Sequence, residues 1–172
     1  MRILTESEQN KIKILTKNQV SLALIEPTET GLKKSIMDAT GPVRNFLKEN
    51  NIHDYDLQQQ GPEHKIIINA NIYSDFTVTS SNASLYRPIT KKGDPRIWFS
   101  GLSNFAEPND IVSIIFYNGE FHIFNLTQLN VENLLSTNIL NPFKELIAEI
   151  SGSANQIAFE LLAMLRKVAN SG

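Results

Sequence analysis

The chain contains no cysteine. That absence excludes a disulfide framework, a thiol nucleophile and any zinc site built on thiolates, and it points to a reducing, cytoplasmic setting. Long apolar runs are missing too. The N-terminal stretch MRILTESEQNKIKILTKNQ is interrupted by charge every few positions, so neither a signal h-region nor a membrane span of about 20 apolar residues is expected. Without a secretory route, the triplets Asn82-Ala83-Ser84 and Asn125-Leu126-Thr127 are chance glycosylation matches. Histidine is scarce. His53, His64 and His122 share no spacing that would put two imidazoles on one helical face, so no zinc site is expected. No Gly-x-Ser-x-Gly elbow occurs. The stretch Thr30-Gly31-Leu32-Lys33-Lys34-Ser35 lacks the glycines that a phosphate loop needs for its backbone cradle.

What is present fits one globular domain with a terminal appendage. There are 172 residues, 41% hydrophobic and 20% charged, in the range of chains that bury a single core. The net charge of -2 hides an uneven distribution. Between Gly31 and Lys48, Lys33, Lys34, Arg44 and Lys48 stand against Asp38. Between Ser84 and Asn104, Arg87, Lys91, Lys92 and Arg96 stand against Asp94. Two basic segments on an acidic body focus positive potential locally, as selective contact with a phosphate backbone requires. Ordinary solvated loops are the plainer alternative.

Local patterns predict the elements. Thr5 with Glu8 forms a capping box, opening a helix that runs to Lys17, and residues 1–18 are read as an N-terminal helical segment. Gln19 to Ile25 reads as a strand, followed by a polar loop to about Thr40. Gly41-Pro42 opens a helix whose apolar face is Val43, Phe46 and Leu47. Tyr55 to Gln59, Lys65 to Tyr73, Phe76 to Thr79, Ser84 to Arg87 and Ile97 to Phe99 read as strands, with a loop over Pro88 to Pro95 and one helical turn over Gly101 to Phe105. Trp98 reads as a core anchor. Ile111 to Tyr117 and Glu120 to Leu126 flank Asn118-Gly119, the pair suited to a type I′ hairpin turn. Residues 131–172 read as a helical extension, with Ile157, Leu161, Met164, Leu165 and Val168 in a stripe that suits core packing or an interface. The expected class is mainly β with flanking helices (α+β): an open β-barrel or pseudobarrel over residues 19–130 with a helical C-terminal tail.

One acidic set invites a nuclease reading: Asp54 or Asp56 followed by Glu63-His64-Lys65. A Mg²⁺-dependent endonuclease would need Glu63 and Lys65 inside a strand that carries them to a shared metal with Asp56, yet Glu63 directly follows the turn Gln60-Gly61-Pro62. Solvated residues at a strand entrance are the simpler reading. The segment Ser84 to Leu102 offers something different. Arginine grips guanine O6 and N7 in a bidentate manner, and a carboxylate accepts from cytosine N4, so Arg87, Arg96 and Asp94 could read G·C pairs. Lys91 and Lys92 would hold phosphates, which fix position without reading sequence.

YRPITKKGDPRIWFSGL (86–102), with TGLKKSIMDATGPVRNFLKENNIHDYDLQQQGPEHK upstream, resembles the N-terminal domain that precedes MvaI/BcnI-type nuclease domains in some type II restriction endonucleases. That domain is similar to the effector DNA-binding domain of EcoRII-type enzymes and to the plant B-three DNA-binding pseudobarrel. The resemblance covers about Ser21 to Thr127. It implies a seven-stranded open barrel that inserts two arms into the major groove of double-stranded DNA. The N-arm would be Thr30 to Asp38, with Lys33, Lys34, Ser35 and Asp38 its contacts and Arg44 nearby. The C-arm would be Tyr86 to Arg96, with Tyr86, Arg87, Lys91, Lys92, Asp94 and Arg96. A short G·C-rich site such as CCWGG is implied, although these arms differ in residues from those of EcoRII. A monomeric module that needs no cofactor is expected. Cleavage and its Mg²⁺ would belong to a nuclease domain elsewhere in the same polypeptide. A non-enzymatic interaction barrel that docks through its apolar C-terminal helix stays open as a third reading.

Overall fold

In the computed structural model, residues 1–16, 21–74 and 77–129 are described; the expected C-terminal helices lie outside them. The chain opens with α1 (Glu6–Thr16), held by the expected capping box: Thr5 N–H donates to Glu8 Oε1, and Glu8 N–H donates to Thr5 Oγ1. Strand β1 (Leu22–Ile25) follows, then α2 (Glu29–Lys34), β2 (Met37–Asp38) and α3 (Gly41–Glu49). After two 3-10 turns, Tyr55–Leu57 and Pro62–His64, come β3 (Ile66–Tyr73) and β4 (Val78–Tyr86). A third turn, Lys91–Gly93, leads into β5 (Arg96–Phe99), and a fourth, Leu102–Asn104, precedes β6 (Val112–Tyr117) and β7 (Glu120–Asn125).

The seven strands form one mixed sheet in the order β1-β6-β7-β3-β4-β5-β2. Only β3 and β7 run parallel; every other pair is antiparallel. β1 and β2 end the sheet without pairing to each other, so it curls into a half-barrel that remains open. Side chains alternate across each strand. Ala23, Ile25, Ala70, Ile72, Ala83, Leu85, Ile97, Phe99, Val112, Ile114, Phe121 and Ile123 point to one side and make the core. Helix α3 closes that core with Val43, Phe46 and Leu47, the face its sequence spacing predicts. Each fully buried Leu, Ile or Phe contributes roughly 1.5–3 kcal/mol, and this clustered burial is what holds the curled sheet together. At the β6–β7 turn, Asn118 and Gly119 both have positive φ (52° and 81°), which is the type I′ geometry expected of an Asn-Gly pair.

Three expectations need correction. Thr30 to Asp38 is not simply a polar loop but carries α2 and the short strand β2: Thr28 accepts from Gly31 N–H to cap the helix, and β2 gains its identity only by pairing with β5. Tyr55 to Gln59 is a 3-10 turn rather than a strand, because Asp54 accepts from Asp56 N–H and bends the chain. Ser84 to Arg87 and the segment ending at Thr79 are not separate strands. Val78–Tyr86 is continuous, since Ala83 and Leu85 face the core while the intervening polar residues face outwards. Phe76 lies outside the described residues. Trp98, expected as a core anchor, is half-buried at the margin of the core. No helix among the described residues is long and apolar enough to cross a membrane.

Candidate nucleic-acid interface

The basic segment between β4 and β5 is built on unusual backbone. Lys91, Lys92 and Gly93 occupy consecutive left-handed conformations (φ 52°, 58° and 69°). For a non-glycine residue that conformation costs roughly 1–2 kcal/mol, so the surroundings must hold it. Within the loop, Gly93 N–H donates to Thr90 O at 3.0 Å and Asp94 N–H to Lys91 O at 3.2 Å. From outside, Arg87 Nε donates to Gly93 O at 2.8 Å and its Nη1 to Gln58 O at 2.9 Å. Gly93 is buried and its Cα abuts the Gln60 side chain so closely that a Cβ would overlap it.

The segment before β3 is the scaffold for this loop. Gln58 is buried and donates to the carbonyls of Leu85 and His64, both at 2.9 Å, and Gly61 N–H donates to Arg87 O at 2.9 Å. Tyr55 is buried with its hydroxyl on Arg96 O at 2.8 Å, and burial pushes its phenol well above the ordinary range. An open cleft runs beside this scaffold between His53, Asp54, Gln58, His64 and Ile66.

The geometry separates the expected contact residues into kinds. Lys91, Lys92 and Asp94 are exposed, and none of them makes a salt bridge among the described residues. Arg87 is turned onto backbone carbonyls within its own chain. Arg96 is 9% exposed and lies in register with Asp38 on one side and Tyr86 on the other. Its Nε stands 3.4 Å from Asp38 Oδ1 and is buried without a hydrogen bond among the described residues, so the pair attracts without good donor geometry. Tyr86 in turn lies under Lys65, whose Nζ is 5.0 Å from the ring centroid. Arg44 donates to Ala39 O at 2.8 Å, close to this end of β5 because Ala39 N–H reaches Pro95 O.

Lys33, Lys34 and Ser35 lie elsewhere. They end α2, with Ser35 itself left-handed (φ 55°). Lys33 makes only an exposed i,i+4 contact with Glu29 at 3.3 Å, an interaction of little energetic weight. Ser103 Oγ donates to Leu32 O at 3.1 Å, tying α2 to the turn after β5. The register makes the consequence clear: α2 sits at the Phe99 end of β5, the 88–95 loop at the Arg96 end. A four-residue strand is roughly 10 Å long, so the two basic elements flank a short stretch of sheet.

No ion pair joins Lys65 to Asp56 or Glu63 among the described residues. Glu63 sits in the Pro62–His64 turn with its carboxylate 3.5 Å from His64 Nε2, and no group of three or more His, Asp or Glu suited to a metal occurs among the described residues. Sequence reading missed Tyr55, Gln58 and Gln60 as the props of the loop; no periodicity marks them, and only the clustering of three glutamines hinted at anything. No family model, curated protein or solved structure matches this chain.

Proposed function

We propose that the chain is a sequence-reading double-stranded DNA-binding module, the effector domain of a type II restriction endonuclease, built as a DNA-binding pseudobarrel. The observation that supports this best is the placement of two exposed cationic elements, α2 and the 88–95 loop, at opposite ends of β5. Lysines held by a braced backbone lose less freedom on meeting phosphates than lysines on a floppy loop. In this reading Lys33, Lys34, Lys91 and Lys92 hold the backbone of the duplex, Asp94 faces its bases, and Arg96, 9% exposed beside Asp38, swings out to read them. Arg87 acts one step back, as the residue that shapes the loop. Cleavage and its Mg²⁺ belong to a separate nuclease domain.

Selection of bound duplexes from a pool with a randomised centre tests the reading, and a short G·C-rich consensus is the expected outcome. Lys91→Ala should then weaken selected and unrelated duplexes about equally and reduce the salt dependence by about one counterion. Failure to retain any duplex at low salt would overturn the proposal in favour of a protein-interaction barrel.

A further inference from the structure

The outer face of the sheet is divided. On β6 and β7 the side chains that point away from the core, Ser113, Ile115, His122 and Phe124, are all buried. Along β3 the outer face opens progressively: Tyr73 is buried against Phe124 and Asn71 is half-buried, whereas Ile67, Asn69 and, on β4, Asn82 are exposed. We propose that this bare face of β3, β4 and β5 is where the duplex lies, and that Asn69 and Asn82 at its centre contact base edges. The inference rests on the DNA-binding reading above and adds readers that belong to neither basic segment.

Composition is the first support. A surface that merely faces water carries charges of both signs interspersed. On this face the cations are Lys65 and Arg96, the carboxylate Asp38 stands beside Arg96, Glu120 borders it from β7 with its carboxylate on Asn71, and the rest are amides, hydroxyls, aromatic rings and the exposed aliphatic Ile67 and Val78. Of the two carboxylates a polyanion meets here, Asp38 is beside Arg96 and Glu120 stands at the β7 border.

Dimensions are the second. Register aligns three rows across the strands: Lys65 and Tyr86 with Arg96, Ile67 and Ser84 with Trp98, and Asn69 with Asn82. Rows two residues apart are spaced by roughly 6.6 Å, so the three span roughly 13 Å. The DNA major groove is about 12 Å wide. The 88–95 loop lies at one end of this span and α2 near the other, so each can meet a phosphate strand while the rows face the floor of the groove.

The amide pair is the third. Asn69 and Asn82 are directly opposed in the β3–β4 ladder, which sets their Cβ atoms roughly 5 Å apart. Both are exposed, and neither side-chain amide has a hydrogen-bond partner among the described residues. A primary amide matches the N6 donor and N7 acceptor of adenine, so this pair supplies adenine-reading chemistry that the basic segments lack.

The test uses the full chain, the duplex it selects from the randomised pool and an unrelated duplex of equal length. The double variant Asn69→Ala/Asn82→Ala should lose about tenfold in affinity for the selected duplex, with unrelated-duplex affinity, salt dependence and melting temperature as in the parent. Asn82→Asp, nearly isosteric, should weaken both duplexes by placing a carboxylate on the face. Parental preference in both asparagine variants, alongside weakened binding by Lys91→Ala/Lys92→Ala, would overturn this assignment and leave the DNA-binding reading standing. A parent that binds no duplex overturns both. A change of molecular mass without DNA in Asn82→Asp would mark the face as a contact between copies of the chain and likewise overturn the assignment.

Discussion

Arg87 and Gln58 are joined by a hydrogen bond from Nη1 of the arginine to the glutamine's backbone carbonyl at 2.9 Å, and the same guanidinium reaches Gly93 O. One cation thereby links the basic loop to the segment that supports it. Arg87→Ala should cost on the order of 1–3 kcal/mol of stability, because charge-assisted bonds to half-buried carbonyls are lost together. Hydrogen exchange should rise over residues 88–95. Duplex affinity should fall for every sequence alike; a loss confined to one base pair would show that Arg87 reads DNA directly.

Gly93 makes a sharper prediction. Its φ of 69° favours glycine, and a Cβ there would overlap the Gln60 side chain. Gly93→Ala should destabilise the fold by roughly 1–3 kcal/mol, combining backbone strain with the clash. Adding Gln60→Ala should recover the steric part alone, leaving roughly 1–2 kcal/mol. Urea unfolding of the four chains closes this double-mutant cycle, and strictly additive costs would refute the contact.

The N-terminal helix is pinned by charge. Glu8 is 2% exposed, Arg2 Nη2 lies 2.7 Å from its Oε2, and Thr127 Oγ1 also donates to it. The hydrogen bond from Arg2, ahead of those from Thr127 and the Thr5 backbone, lowers its carboxyl to about 2 from the usual 4.5. A depressed pKa in the folded state contributes stability that is present above the unfolded value and lost as pH falls through the folded one. Stability linked to Glu8 should therefore decline between about pH 5 and pH 2, by on the order of 1–2 kcal/mol with the partly exposed Arg2 screened by solvent. Glu8→Gln should flatten that portion of the stability profile measured by urea titration. An unchanged acid limb would mean that α1 is not held by this carboxylate.

Features decided by neighbouring residues are legible in the sequence. The Thr5–Glu8 box, the start of α3 at Gly41-Pro42 and the Asn118-Gly119 turn each depend on contacts within a few positions, and each stands where its pattern places it. The features that escape such reading depend on distant partners. β2 is two residues long and exists because β5 accepts it, and β4 runs through Ser80, Ser81 and Asn82 because β3 pairs with it from Val78 to Leu85, β5 joining only from Ala83. The candidate site divides in the same way. The positions of the cations in the chain are visible from charge, whereas the inward turn of Arg87 requires Gln58 and Gly93 to be placed first. The bare face of β3 and β4 has no signature in the chain, since its exposure is decided by the sheet as a whole.

The order of the sheet also has a temporal meaning. β1 is made well before its partner β6, which comes near the end of the described residues, and the parallel partner of β3, β7, comes later still. Hairpins such as β3–β4 and β6–β7 form by local closure in microseconds, while pairings that close long loops are slow. Until β6 has been made, β1 is thus an unpaired edge awaiting its partner. An early strand that must wait is exposed to wrong partners. With only four residues, Leu22–Ile25, it offers them a short template.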